Sequence, residues 1–156
     1  MGDNFFKGDV PVYKTLLAVG QSVEVQVAAN PSPSVGTWTW EVVPAGSIAY
    51  AFLNSSGAQN DAATWHFDAP AGTYDLTYLY WKSPHEAIHT INIDGSSIGT
   101  TVDAYVASGL AALTRVTGIT ITGTGDHTFQ VVAATKNASS DKYQMQPARV
   151  ILTRRS

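Results

Sequence analysis

The sequence predicts an all-β fold, an antiparallel sandwich or barrel of roughly eight to eleven short strands. Two observations lead there. From Ala62 to Trp81 the chain alternates with a period of two on both sides of a turn at Pro70 and Gly72. Trp65 and Phe67 share one face while Thr64 and His66 take the other; Tyr74, Leu76, Tyr78 and Tyr80 then alternate with Thr73, Asp75 and Thr77. These aromatic and β-branched side chains suit a pleated surface, so the stretch is expected to be the central hairpin of the core. The same alternation recurs along the chain in short runs, separated by Gly, Pro, Asn and Asp clusters that turn it.

Taken in order, Met1–Pro11 has no clean period and reads as an N-terminal arm, with one domain over residues 12–156. Tyr13–Val19 is a candidate short strand. Val23, Val25 and Val27 alternate with Glu24 and Gln26, which predicts a strand with one wet face. Pro31 and Pro33 break the chain, because each removes a ladder donor. Trp38, Trp40 and Val42 form the next inward row opposite Thr39 and Glu41. Ile48–Leu53 is apolar on both faces, as a strand in a sandwich core is. Past Trp81, Ser83-Pro84 turns the chain, and His89, Ile91 and Ile93 alternate with Thr90 and Asn92. Asp94-Gly95 is a tight-turn signal leading into Ile98–Tyr105. Ala107–Leu113 is expected to form a helical turn. Ile119 and Ile121, then Phe129, Val131 and Ala133, then Val150–Leu152 complete the strands, with a loop at Asn137–Asp141.

Composition narrows the function. Charged residues make up 13% of the chain, about half of the usual ~25%. Such a surface is expected to be partly covered by partners, including copies of the same chain in a closed homo-oligomer, with a trimer as the first expectation. A net charge of −3 lacks the basic stripe of a nucleic-acid binder. There is no cysteine, so disulfides and thiolate metal sites are excluded. No apolar run approaches the length of a membrane span, and MGDNFFKGDV lacks the apolar run of a signal peptide.

Motif by motif, catalysis finds little support. His85-Glu86-Ala87-Ile88-His89 matches the H-E-x-x-H zinc pattern, which needs a helix to bring both histidines to one ion. Here Pro84 precedes the motif and a β-alternating run follows. In a strand the two rings lie about 13 Å apart, too far to share a zinc bonded at about 2 Å. The expectation is therefore no metal, no cofactor and no enzymatic activity. Asn92, Asp94 and Asp103 are oxygen donors of the kind that hold calcium, but Asp94-Gly95 reads more simply as a hairpin turn. His66, Asp68 and Ser83 lack the nucleophile elbow that a triad requires. Trp38, Trp40 and Trp65 belong to inward rows, whereas Trp81 falls out of phase at a strand end. There, beside the Ser83–His89 loop, an exposed indole can stack on a sugar ring.

From Trp65 onward the phrases FDAPAGTYDLTYLYW, INIDG, TGDHTFQVVAATKNASS and RVILTRR resemble the jelly-roll β-sandwich modules of bacteriophage virion proteins, and more loosely carbohydrate-binding modules. The resemblance implies an antiparallel jelly roll and a non-enzymatic virion component, located on the capsid surface or an appendage. The first reading is a capsid decoration or cement protein that bridges the major capsid protein or other virion subunits. Asp3, Asn4, Phe5, Phe6 and Lys7 of the arm would make its contacts. The alternative is a fibre or spike module binding host-surface glycans, or a carbohydrate-binding module, with Trp81, His85 and His89 at the sugar. Beginning at Met and ending soon after its last strand, the chain is expected to be a complete small accessory protein.

Overall fold

The computed structural model describes residues 17–27, 31–42 and 50–156, and among these the chain is all strand and loop, with no helix. The strands are β1 (Ser22–Val25), β2 (Ser34–Val35), β3 (Trp38–Val42), β4 (Tyr50–Asn54), β5 (Ala62–Ala69), β6 (Gly72–Lys82), β7 (Ala87–Ile93), β8 (Ser96–Asp103), β9 (Leu110–Ile121), β10 (Gly125–Lys136) and β11 (Pro147–Arg154). One sheet has the order β1-β11-β6-β9 and the other β2-β5-β10-β7-β8, with β3 and β4 forming a separate hairpin. Every pairing between these strands is antiparallel. The protein is an antiparallel β-sandwich of jelly-roll type, as the sequence predicted.

The alternating rows meet between the sheets. Tyr74, Leu76 and Tyr78 of β6, with Val150 and Leu152 of β11, face Trp65 of β5, Ile91 of β7 and Phe129 and Val131 of β10, and all are buried. The Phe129 ring sits 6.1 Å from Trp65 and 6.0 Å from Tyr78, centroid to centroid, within the range of favourable aromatic pairs. Trp38 leans edge-on against Trp65 at 6.2 Å and is half-buried, while the side chains of Trp40 and Val42 lie outside what is described.

Two local expectations are corrected, and a third in part. The Ala62–Trp81 stretch is not a hairpin: β5 and β6 belong to opposite sheets. The chain crosses over at Pro70-Ala71, where the Tyr74 hydroxyl donates to the Pro70 carbonyl (2.7 Å). Crossing lets both aromatic rows point into the same core, which a flat hairpin would achieve on one sheet only. Ala107–Leu113 forms no helical turn, because Leu110–Leu113 pair with Lys82–Leu79 and the β ladder overrides a local preference. Of Tyr13–Val19, residues 17–19 form no strand and the rest lie outside the described residues, as does the Met1–Pro11 arm. The Asp94-Gly95 turn is found as expected, with φ of 49° and 75° at the two positions, the pair of positive angles that a two-residue hairpin demands.

Candidate functional site

At one end of β6 the side chains stop pointing inward. Tyr78 and Tyr80 face the core, so Leu79 and Trp81 are placed on the outer face of the sheet, next to Ala111 of β9 and Ala148 of β11. Trp81 is half-buried. Gly109 lies flush against its indole: a Cβ there would sit 2.5 Å from Cζ2 and 3.0 Å from Cε2. Any larger residue at 109 would push the ring away. Gly109→Ala is therefore expected to shift Trp81 while leaving the sandwich folded, read as a changed Trp81 indole N–H resonance with unchanged far-UV circular dichroism.

Trp81 forms one wall of an open cleft of about 420 Å³, which also includes Pro84, His85, Gly109, Leu53 and the polar groups of Glu41, Ser83, Gln144 and Gln146. This size is in the range of small-ligand sites. The walls are tied by backbone. Trp81 N–H donates to the Gln146 carbonyl (3.0 Å), Gln144 N–H to His85 (3.0 Å) and Ala87 N–H to Gln144 (2.7 Å). On the other side Ser83 N–H donates to Ala104 and Val106 N–H to Ser83, each at 3.2 Å. The Ser83–Ala87 loop is thus stitched on both flanks.

Within the cleft, the Gln146 amide donates to Glu41 Oε2. His85 Nδ1 lies 2.6 Å from Asp141 Oδ1, and this hydrogen bond holds the Asp141 carboxyl below the usual carboxylate range. The cleft therefore offers an apolar ring face beside a carboxylate, two amides, a hydroxyl and an imidazole. Chemically, this arrangement can stack on the C–H face of a ring while hydrogen-bonding its hydroxyls.

Of the residues singled out for a glycan, Trp81 and His85 share this cleft. His89 does not: it is fully buried, with its ring edge-on to Tyr78 and Tyr80 at 5.5 and 5.7 Å. It cannot touch a ligand. The two histidines of H-E-x-x-H part because β7 begins at Ala87, leaving His85 in the loop while His89 enters the inward row. Asp3, Asn4, Phe5, Phe6 and Lys7 lie outside the described residues. Asp94 accepts from Thr128 N–H and pairs with His127, both at 2.8 Å. Asp103 instead caps Tyr105 N–H and binds Asn137, and Asn92 binds Gln130. The three candidate calcium donors thus serve separate hydrogen bonds. His66 pairs with Asp126 rather than Ser83. Glu41, Gly109, Gln144 and Gln146 were not singled out. Glu41 stood on a predicted wet row, but nothing local announces that such distant positions converge.

A scan of protein-family models gives no match, and neither does a comparison with curated protein sequences. Solved structures do match, and they place the chain in the fold of carbohydrate-binding modules. A Paenibacillus xanthan lyase is similar over 90% of this chain at 20% identity and a TM-score of 0.73, and the chain spans 14% of that enzyme's length. The CBM36-1 domain of a multidomain xylanase from the hindgut metagenome of Trinervitermes trinervoides is similar at 17% identity and a TM-score of 0.60, over 85% of this chain and 96% of that one. A family 6 carbohydrate-binding module from Clostridium cellulolyticum, solved with xylose, gives 16% identity and a TM-score of 0.53 over 84% and 96%.

Proposed function

We propose that this protein is a non-catalytic glycan-binding module that holds a sugar in the Trp81–His85 cleft. The observation that carries the reading is the indole seated on Gly109 at the rim of an open, polar-lined cleft. The fold shared with modules described as binding carbohydrate supports it. Trp81 supplies the stacking surface. Glu41, Gln144, Gln146 and His85 supply hydrogen bonds, and the stitched backbone keeps them in place before the ligand arrives, which lowers the entropic cost of binding. These observations favour the glycan alternative over the capsid-cement reading, whose contact residues lie outside the described part of the chain.

The test is retention on a panel of polysaccharides, with xylan, β-mannan, galactan and cellulose as the first members. Trp81→Ala is expected to weaken retention by about 30-fold or more, since truncating a central aromatic anchor costs about 2 kcal/mol or more. The variant should keep the wild-type unfolding midpoint to within a few degrees. Unchanged retention by Trp81→Ala would move the site elsewhere, and no retention of the wild type on any member would sink the reading.

A further inference from the structure

Directly behind the cleft wall lies a polar cluster that the binding site does not use. Glu86 is fully buried, which is rare for a carboxyl group without a charged partner. Its Oε1 accepts from the Ser83 hydroxyl (3.0 Å), and the same hydroxyl oxygen accepts from His85 N–H (3.2 Å). Among the described residues, Oε2 has no partner, and neither do the Tyr78 hydroxyl or the two ring nitrogens of His89. Two titratable groups interact with Glu86, Tyr78 of β6 and Glu41 of β3; around Tyr78, Tyr80 is stacked at 4.9 Å and His89 of β7 lies edge-on at 5.5 Å. Asp103 of β8 acts on His89, and the His85–Asp141 pair lies on the outer side. Among the described residues, no Lys or Arg acts on Glu86 to offset a buried negative charge.

We propose that Glu86 is the positioning residue of the cleft, holding Ser83 and His85 in place as a neutral acid, so that its ionisation opens the cleft wall and releases the ligand. The loop fits a neutral carboxyl. One oxygen is bonded to Ser83, and leaving the other unpaired costs far less in a neutral acid than in a carboxylate. Ionised, Oε2 would be a buried carboxylate oxygen without a donor, beside the Glu41 carboxylate, and that cost is relieved only by letting water reach it. Ser83, Pro84 and His85 are the partly exposed residues next to Glu86 in the chain, and they line the cleft, so letting water in means moving that wall. Burial first, and Glu41 as a further cause, push the Glu86 carboxyl up from 4.5 to about 8, against the opposing Ser83 bond. The release therefore falls in mildly alkaline solution.

This inference rests on the glycan-binding reading for its consequence, but it has a readout without ligand. In the full chain, carboxyl and amide NMR signals are followed from pH 6 to 9.5. The amides of Ser83, His85 and Gln144 are expected to move in step with the Glu86 carboxyl, and to stay fixed in the isosteric Glu86→Gln variant. Glu86 titrating while those amides stay still would overturn the proposal, as would the same movement in Glu86→Gln. With xylan as the probe, wild-type affinity is expected to be about tenfold lower at pH 9 than at pH 6.5, and that of Glu86→Gln to be level. Equal losses in both proteins would also overturn it. If xylan is retained at no pH by either protein, the choice of sugar fails, and the NMR arm still decides the role of Glu86.

Discussion

Stability is expected to be flat between about pH 4.5 and 6.5 and to fall on both sides, and two buried groups set the edges. Glu86 has a carboxyl raised from 4.5 to about 8 by burial. Between those values the folded chain keeps a proton that the unfolded chain has released, so its contribution is complete below 4.5 and is lost as the pH rises to 8. His89 is the reverse: burial lowers it from 6.5 to about 3. The unfolded chain then binds a proton that the folded one refuses, so stability is lost as the pH falls from 6.5 to 3. Each slope is roughly 1.4 kcal/mol per pH unit, and where the windows overlap they cancel. Asp141, lowered by His85, adds in the direction of the acid limb. Denaturant unfolding at a series of pH values reads the profile. In Glu86→Gln the loss between 6.5 and 8 should vanish and stability should rise from 4.5 to 6.5. In His89→Phe the acid limb should shrink, leaving a steady fall from 4.5 to 8. An alkaline limb unchanged in Glu86→Gln would show that another group sets it.

Phe129→Ala is expected to cost about 3–5 kcal/mol, a large share of the roughly 5–15 kcal/mol that a domain of this kind has. Phe129 is fully buried between Trp65 and Tyr78 on the seam where the two sheets meet. Its removal leaves a cavity bordered by rigid rings on paired strands, which cannot collapse cheaply. Leu113→Ala is the matched control. Leu113 is 49% exposed on the edge strand β9, and its loss should stay within about 0.5 kcal/mol. Urea unfolding of both variants, with an unchanged slope, checks this. A Phe129→Ala cost below about 1.5 kcal/mol would contradict the close packing of the two rows.

Strand by strand, the fold was legible because the alternation is local. The inward rows of β6, β7 and β10 could be read by counting every second residue, and Asp94-Gly95 marked its own turn through the positive φ that glycine tolerates. Leu110–Leu113 misled for the opposite reason. Its short apolar run carries no period, and the β6 ladder decided its conformation. The site was half legible. Trp81 stood out by breaking phase with the tyrosine row, and His85 by its place in the loop beside it. His89 carried the same motif into the core, because β7 begins at Ala87 and puts His89 on its inward row while His85 stays in the loop before it.

By itself, then, the amino-acid order determined what each residue can decide with its near neighbours: all-β structure, the turns, and which side chains turn inward. Tertiary structure decided the rest. It assigned β5 and β6 to opposite sheets, and it brought Gly109 against Trp81. It joined Glu41 to Gln146 across 105 positions of chain, and it enclosed Glu86 behind Ser83. Those outcomes depend on long-range ladder pairing, and the pairing partner of a strand is not written in the strand's own alternation.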